Sequence, residues 1–151
     1  MTCFAVVWTM CAYDNKCYHI HTINSFGRGL VIASLNINSL LAHFDELRVF
    51  MSNSKIDLLT INETKLDLTI DDTELYLPGF ELIRKDSVRN GRNGGGVCFY
   101  VRCNLNYKIR DDLSSENLEL LVLEIPRPRS RPFLVDTWYR PPGRFPGEFL
   151  Q

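Results

Sequence analysis

Two polar residues, Asn36 and Glu63, stand at the ends of two strongly apolar runs. The runs are LVIASLN (30–36) and IDLLTIN (56–62), and Glu63 directly follows the second. A carboxylate beside an amide offers hard oxygen ligands for Mg²⁺, which needs few protein ligands and keeps water and substrate phosphate for its other positions. The spacing also fits a carboxylate that satisfies backbone N–H groups at the start of a loop, so both interpretations stay open.

A second candidate group lies near the end of the sequence, in DTWYRPP (136–142). The two prolines end a strand, and alternation along the strand sends Tyr139 and Arg140 to opposite sides. An aromatic side chain beside a cation suits a phosphate group or a nucleotide. A packed tyrosine next to a surface arginine is the alternative that the local pattern leaves open.

A β-α-β unit is predicted to position Asn36 and Glu63. Both apolar runs are rich in aliphatic and β-branched residues, which is typical of buried strands. Between them, apolar residues recur at helical spacing, at Leu40, Phe44, Leu47 and Met51. Asn38 or Ser39 is expected to cap this helix by accepting a hydrogen bond from a backbone N–H. Because such a crossover makes the two strands parallel, both end at one sheet edge, where ligand chemistry gathers.

Antiparallel strands are predicted to follow this unit. They are expected in ELIRKD (81–86), GGVCFYVR (95–102), NYKIRDDL (106–113), LELLVLEIP (118–126) and PFLVDTWYRPP (132–142). An Asn-Gly turn in SVRNGRNG (87–94) should join the first two, and Gly94 to Gly96 should adopt unusual backbone angles. This glycine-rich stretch lacks the Lys-Ser/Thr ending of a phosphate loop and leads into a strand. The whole pattern predicts an α/β protein with a mixed sheet, of the α+β kind.

Length and composition indicate one domain with a buried core. The 151 residues are 45% hydrophobic and 23% charged. The net charge is −1, but lysine and arginine number five against ten acidic residues over 1–83, and twelve against eight over 84–151. The basic half could face phosphate, although a solvated basic surface is the alternative.

The first 29 residues are predicted to form a leader outside the fold, with the domain over 30–151. The apolar stretch CFAVVWTMCAY (3–13) is too short to span a membrane, and it lacks the basic start and cleavage site of a signal peptide. Five cysteines without a C-x-x-C pair argue against a disulfide framework. The sequence therefore favours an intracellular location, nuclear or cytoplasmic, without secretion and without a membrane partner.

Five short segments follow one another along the chain: IASLNINSL, IDLLTINETKL, PGFELIRKD, GGGVCFYVR and FLVDTWYRPP. Together they resemble the endonuclease/exonuclease/phosphatase superfamily, and more narrowly the apurinic-type endonuclease domain of non-LTR (LINE-type) retrotransposons. The resemblance covers about residues 30–142, and the order of the segments carries it. It implies a DNase I-like fold, in which two packed sheets form an α/β sandwich with helices outside.

The resemblance also implies a chemistry: DNA phosphodiester hydrolysis with Mg²⁺ or Mn²⁺, no small-molecule cofactor, and association with a reverse transcriptase. By motif, Glu63 matches the metal-binding carboxylate, and Asn36 matches the asparagine that helps to hold the metal or that carboxylate. Tyr139 matches the tyrosine that contacts the scissile phosphate. Arg140, in YRPP, and Asn38 match positions that would bind the DNA substrate. Metal-assisted hydrolysis needs charge neutralisation and an oriented water molecule, and these groups supply part of that.

Two later motifs of the superfamily, Gly-Asp-x-Asn and Ser-Asp-His, do not occur in this sequence. In the family they orient the attacking water and support the attack, and loss of such groups costs several orders of magnitude in rate. We therefore expect a truncated N-terminal half of such a domain, inactive on its own.

Two other hypotheses stay open. A non-catalytic module that binds nucleic acid or protein would use the basic half of the sequence. If the second sheet lay in the missing half, the uncovered sheet face would favour self-association or binding of a complementary chain. The other hypothesis is a gene fragment without a selected role.

Overall fold

The computed structural model describes residues 29–87 and 94–140, together with the backbone of two strands before them. The strands are β1 (Phe4–Ala12), β2 (Lys16–Asn24), β3 (Ile32–Asn36), β4 (Leu58–Asn62), β5 (Phe80–Lys85), β6 (Val97–Arg102), β7 (Lys108–Ile109), β8 (Glu119–Arg127) and β9 (Ser130–Tyr139). The helices described are α1 (Phe44–Ser52) and the short 3-10 turns Leu41–His43, Asp72–Leu75 and Asp111–Leu113.

These strands form two sheets. The larger has the order β1-β2-β3-β4-β6-β5, and the smaller has the order β7-β8-β9. β3 and β4 are parallel, with Asn36 opposite Asn62, whereas β6 is antiparallel to both β4 and β5. The predicted crossover and the antiparallel strands after it are therefore confirmed, as is the mixed α/β fold class. The predicted Asn-Gly turn between β5 and β6 lies mostly in 88–93, outside the described residues.

Strand pairing reaches into the segment 1–29, which the sequence predicts as a leader. β1 and β2 pair with each other, and the backbone of β2 pairs antiparallel with β3 at Tyr18–Leu35 and His19–Ser34. This contact uses the edge of β3 that faces away from β4. The division into a leader and a domain over 30–151 stays a prediction.

The helix begins without the side-chain cap that the sequence predicts. A 3-10 turn precedes α1, with Leu40 at its N-cap, and neither this turn nor α1 has a capping side chain. Asn38 and Ser39 instead adopt positive φ angles of 50° and 106°. The backbone N–H groups of Ser39 and Leu40 donate to the carbonyls of Glu63 and Thr64, at 2.9 and 2.8 Å. Backbone hydrogen bonds therefore hold the segment that enters the helix, and the side chains of Asn38 and Ser39 do not cap it.

Each face of the larger sheet carries its own hydrophobic cluster. Alternation along β6 sends Cys98 and Tyr100 to one face, and Val97, Phe99 and Val101 to the other. The first face is covered by α1, whose Phe44, Leu47 and Met51 are buried as the helical spacing predicts. The Tyr100 hydroxyl donates to the carbonyl of Leu75 at 2.9 Å, which satisfies its polar group within this core.

The second face is covered by the smaller sheet. Leu121, Leu123 and Ile125 of β8 join one hydrophobic cluster with Leu58 and Phe99 of the larger sheet. The sequence analysis made an uncovered inner face conditional on a second sheet outside this chain, and for β4 and β6 that condition is not met. The physical reason is local, because the hairpin of β8 and β9 brings its own apolar face onto the first sheet.

No helix in the described part of the chain is long and apolar enough to cross a membrane. Of the cysteines in that part, Cys98 and Cys103 are both free, the first buried and the second exposed. Burial raises the pKa of the Cys98 thiol far above its ordinary value, so this sulfur behaves as a small apolar group.

The packing between the sheets predicts that Leu123→Ala strongly lowers the free energy of unfolding. Leu123 is 0% exposed between the two sheets, and truncating a buried leucine typically costs about 2–5 kcal/mol of unfolding free energy. Leu68→Ala is the matched control, because Leu68 is 93% exposed. Urea denaturation of both variants checks this expectation, and equal midpoints would contradict the two-sheet core.

Candidate functional site

The side chains of Asn36 and Glu63 meet at the carboxyl ends of β3 and β4. Asn36 Nδ2 donates to Glu63 Oε1 at 3.0 Å. Asn36 is exposed and Glu63 is half-buried, so the pair is open to solvent. The structure thus brings together the two residues that the sequence analysis placed at one sheet edge. We call this rim, formed by residues 36–40, 62–65, 94–96 and 137–140, the site edge.

Backbone conformations that side chains rarely adopt are concentrated at the site edge. Glu63 and Lys65 have φ angles of 57° and 53°, and Asn38 and Ser39 are also positive. Of the non-glycine residues with positive φ in the described chain, only Arg129 lies elsewhere. Such strain persists where surrounding contacts hold it, and it is enriched at functional sites.

Backbone hydrogen bonds hold the segment after β4 on both sides. Glu63 and Thr64 accept from the 39–40 segment, as described above. On the other side, Thr64 N donates to Gly96 O at 3.1 Å, and Lys65 N donates to Gly95 O at 2.9 Å. The loop that carries Glu63 is therefore fixed between the loop after β3 and the glycine turn before β6.

Asn62 connects this edge to the second sheet, a role that the sequence analysis missed. Asn62 Nδ2 donates to the Trp138 carbonyl at 2.9 Å, and its Oδ1 accepts from Thr137 Oγ1. These bonds join the end of β4 to the end of β9. The signal was the polar residue closing an otherwise apolar run, but its partner lies 76 residues away along the chain.

Tyr139 reaches the site edge through this connection. It is half-buried, and a Cβ added to Gly94 would lie 3.2 Å from the Tyr139 hydroxyl oxygen. Arg140 follows it and is exposed, as is Asn38 on the loop after β3. All five residues singled out from the sequence lie on segments that end at this edge. Their roles in metal and substrate binding stay predictions.

The glycine turn packs closely against Thr64. A Cβ on Gly96 would lie 2.4 Å from Thr64 Oγ1, and the φ angles of Gly94, Gly95 and Gly96 are 93°, 98° and 79°. The predicted need for glycine in this turn is therefore confirmed. Thr64 Oγ1 is buried, and it has no hydrogen-bond partner among the described residues.

Arg84 and Asp86 form a partly buried charged group beside β5. Arg84 lies 3.1 Å from Asp72 and 3.4 Å from Asp86, and its Nη2 donates to the Ile70 carbonyl at 2.9 Å. Burial raises the pKa of Asp86, and the neighbouring arginine opposes that shift. Because Arg84 is shared between two carboxylates and a carbonyl, we assign this group a structural role in holding the 70–72 segment to β5.

A divalent cation fits the site edge only if water or phosphate completes its coordination. The described residues contain no group of three or more His, Cys, Asp or Glu side chains that could hold a metal. Glu63 Oε1 accepts from Asn36, whereas Glu63 Oε2 makes no hydrogen bond or ion pair among the described residues. One carboxylate with a free oxygen suits Mg²⁺, which commonly keeps several water molecules.

The comparisons with known proteins agree with this architecture. No protein-family model matches the chain, and no curated protein matches it in sequence. Among solved structures, the chain is similar to AP endonuclease LMAP from Leishmania major, with 20% sequence identity and a TM-score of 0.57. The match covers 72% of this chain and 39% of the endonuclease chain. This chain therefore has a DNase I-like fold and spans less than half of that endonuclease.

The contact between Gly96 and Thr64 predicts that Gly96→Ala destabilises the protein more than Gly79→Ala. Both glycines have φ near 80°, but a Cβ at Gly79 meets nothing within 4 Å. The left-handed backbone costs each variant about 1–2 kcal/mol, and overpacking against Thr64 should add about 1–3 kcal/mol for Gly96 alone. Chemical denaturation measures the difference, and equal losses would rule out the close approach.

Proposed function

We propose that this chain is part of a metal-dependent phosphodiesterase domain of the endonuclease kind, derived from a retrotransposon. The paired side chains of Asn36 and Glu63 would hold Mg²⁺ or Mn²⁺, and DNA would be the substrate class of the complete domain. The observation that carries this proposal is the 3.0 Å hydrogen bond between these residues at the carboxyl edge of two parallel strands. Ligand sites of open α/β sheets favour this position.

Each residue at the site edge would have a separate task. Glu63 Oε2 would contact the cation, while Asn36 fixes the orientation of the carboxylate through Oε1. The Tyr139 hydroxyl would donate a hydrogen bond to a phosphate oxygen, and Arg140 and Asn38 would contact the DNA backbone. The bound cation would neutralise negative charge on the phosphate. This division of tasks explains why a carboxylate, an amide, a phenol and a cation occur at one edge.

The chain on its own should be catalytically silent. The sequence contains neither Gly-Asp-x-Asn nor Ser-Asp-His, and His43, the histidine whose side chain the structure describes, lies at the start of α1 and not at the site edge. Without groups that orient water and transfer protons, bound phosphate would not be attacked at a useful rate. An intracellular location belongs to the same proposal.

Glu63→Gln should weaken the binding of Mn²⁺ by at least about tenfold, because even the loss of an outer-shell partner costs a metal site that much. The substitution keeps the side-chain size and removes the charge. Electron paramagnetic resonance of free Mn²⁺ measures the affinity. Glu116→Gln is the control, because Glu116 is an exposed carboxylate in the loop before β8. No Mn²⁺ binding by the wild type, or equal affinities in all three proteins, would refute the metal site.

With Mg²⁺ or Mn²⁺, the wild-type chain should nick supercoiled plasmid no faster than Glu63→Gln does. The reason is the missing water-orienting and proton-transfer groups, and gel electrophoresis of the plasmid forms measures the rate. Robust nicking that Glu63→Ala abolishes would show that the chain is an active nuclease.

A second candidate function is non-catalytic binding of nucleic acid, and one observation favours it. Arg127, Arg129 and Arg131 are all exposed around the turn between β8 and β9, at the opposite end of β9 from Tyr139. Fluorescence anisotropy with a labelled DNA duplex measures the affinity for DNA and separates the two functions. Binding that weakens with salt but is unchanged in Glu63→Gln would favour this electrostatic role.

A further inference from the structure

We propose that Glu119 is a positioning residue for Glu63. Its buried carboxylate fixes the glycine turn 94–96, and this turn fixes the segment that follows Glu63. The inference rests on the proposed function of Glu63 as a metal ligand. Nothing in the sequence analysis or in the comparisons assigns a role to Glu119, which is the first residue of β8 in the second sheet.

The carboxylate of Glu119 is buried and directed at the glycine turn. The residue is 8% exposed. Glu119 Oε2 accepts from the Gly96 N–H at 2.7 Å, and Oε1 accepts from Ser87 Oγ at 3.0 Å. A buried carboxylate is costly unless donors surround it, and hydrogen bonds to a charged acceptor are stronger than neutral ones. This carboxylate therefore holds Gly96 firmly.

The turn is shaped to admit this carboxylate. A Cβ on Gly95 would lie 2.4 Å from Glu119 Oε2 and 3.0 Å from Oε1. No other residue type could occupy position 95 without displacing the Glu119 side chain. Gly95 and Glu119 therefore depend on each other. The absence of a side chain at Gly95 makes room for the Glu119 carboxylate, and this carboxylate orders the glycine turn.

Backbone hydrogen bonds transmit this order to Glu63. The carbonyls of Gly96 and Gly95 accept from the N–H groups of Thr64 and Lys65, the residues directly after Glu63. Because Glu63 itself has a φ angle of 57°, its orientation depends on how well the residues after it are held. Loss of Glu119 would free the turn, then Thr64 and Lys65, and then the Glu63 carboxylate.

The same turn also contacts Tyr139, the residue proposed to bind a phosphate oxygen. Gly94 lies against the Tyr139 hydroxyl, and Tyr139 is the cross-strand partner of Glu119 in the ladder of β8 and β9. The Glu119 carboxylate therefore influences the positions of both candidate groups. It acts on Glu63 through Gly96 and on Tyr139 through Gly94.

Residue-specific hydrogen exchange without metal tests the positioning directly. In Glu119→Ala, exchange at the amides of Thr64 and Lys65 should speed up by about tenfold or more, because loss of the carboxylate makes local opening of this segment easier. Val122→Ala is the control, since Val122 is 6% exposed on the same strand and lies away from the turn. It should lower protection throughout the core without singling out these two amides.

Glu119→Gln should restore most of the protection. Its amide oxygen can still accept from Gly96 N–H while its amide nitrogen donates to Ser87 Oγ. If Glu119→Ala fails to fold, Ser87→Ala serves in its place and should give the same pattern at smaller amplitude. The inference is overturned if Thr64 and Lys65 exchange no faster in Glu119→Ala, or in Ser87→Ala where that variant replaces it, than in Val122→Ala.

Measuring the Mn²⁺ affinity then tests whether the positioning by Glu119 affects the proposed metal site at Glu63. Glu119→Ala should bind Mn²⁺ about 10–100-fold more weakly than wild type, the range for loss of a supporting partner, and Val122→Ala should bind as wild type does. Unchanged affinity in Glu119→Ala would overturn the inference even if exchange speeds up. If the wild type itself binds no Mn²⁺, the proposed function fails, and hydrogen exchange alone then decides whether Glu119 positions the Glu63 segment.

Discussion

Parallel pairing of β3 with β4 is the constraint on which the candidate site depends. Because Asn36 lies opposite Asn62 in this ladder, the residue after β4 emerges beside Asn36. Glu63 then turns through a left-handed backbone conformation, and its carboxylate accepts the Asn36 amide hydrogen. A slip of one residue would exchange the two faces of β4 and move apolar side chains out of both clusters. The packing of the core therefore also fixes the register that brings the polar pair together.

Hydrogen bonds between neighbouring loops offset the conformational strain of this arrangement. Left-handed conformations at non-glycine residues cost about 1–2 kcal/mol each, and four of them lie at the site edge. The backbone N–H groups of Ser39, Leu40, Thr64 and Lys65 all find carbonyl partners in neighbouring loops. Three loops thus form one hydrogen-bonded unit, and none of them would hold its conformation alone.

The sequence predicts those parts of the fold that depend on neighbours along the chain. Alternating and helical spacing predicted the β-α-β unit, and the polar endings of two runs predicted that Asn36 and Glu63 meet. It did not predict how the backbone enters the helix, because that depends on hydrogen bonds to the Glu63 and Thr64 carbonyls. It also missed Asn62 and Glu119, whose partners come from the other sheet. Long-range hydrogen bonds leave no periodic signal, so local reasoning finds the candidate pair Asn36 and Glu63 and misses the residues that hold the segments around it.

The second sheet changes how the candidate site is understood. It buries one face of β4 and β6, and its strand ends also reach the site edge through Asn62 and Glu119. Under the proposed function, the groups held in place are those that bind the cation and the phosphate in the ground state. Rate acceleration needs interactions that strengthen in the transition state, and the water-orienting and proton-transfer motifs would supply these. Precise positioning and absent turnover are therefore compatible in one chain, because the fold places the binding groups independently of the groups that complete the chemistry.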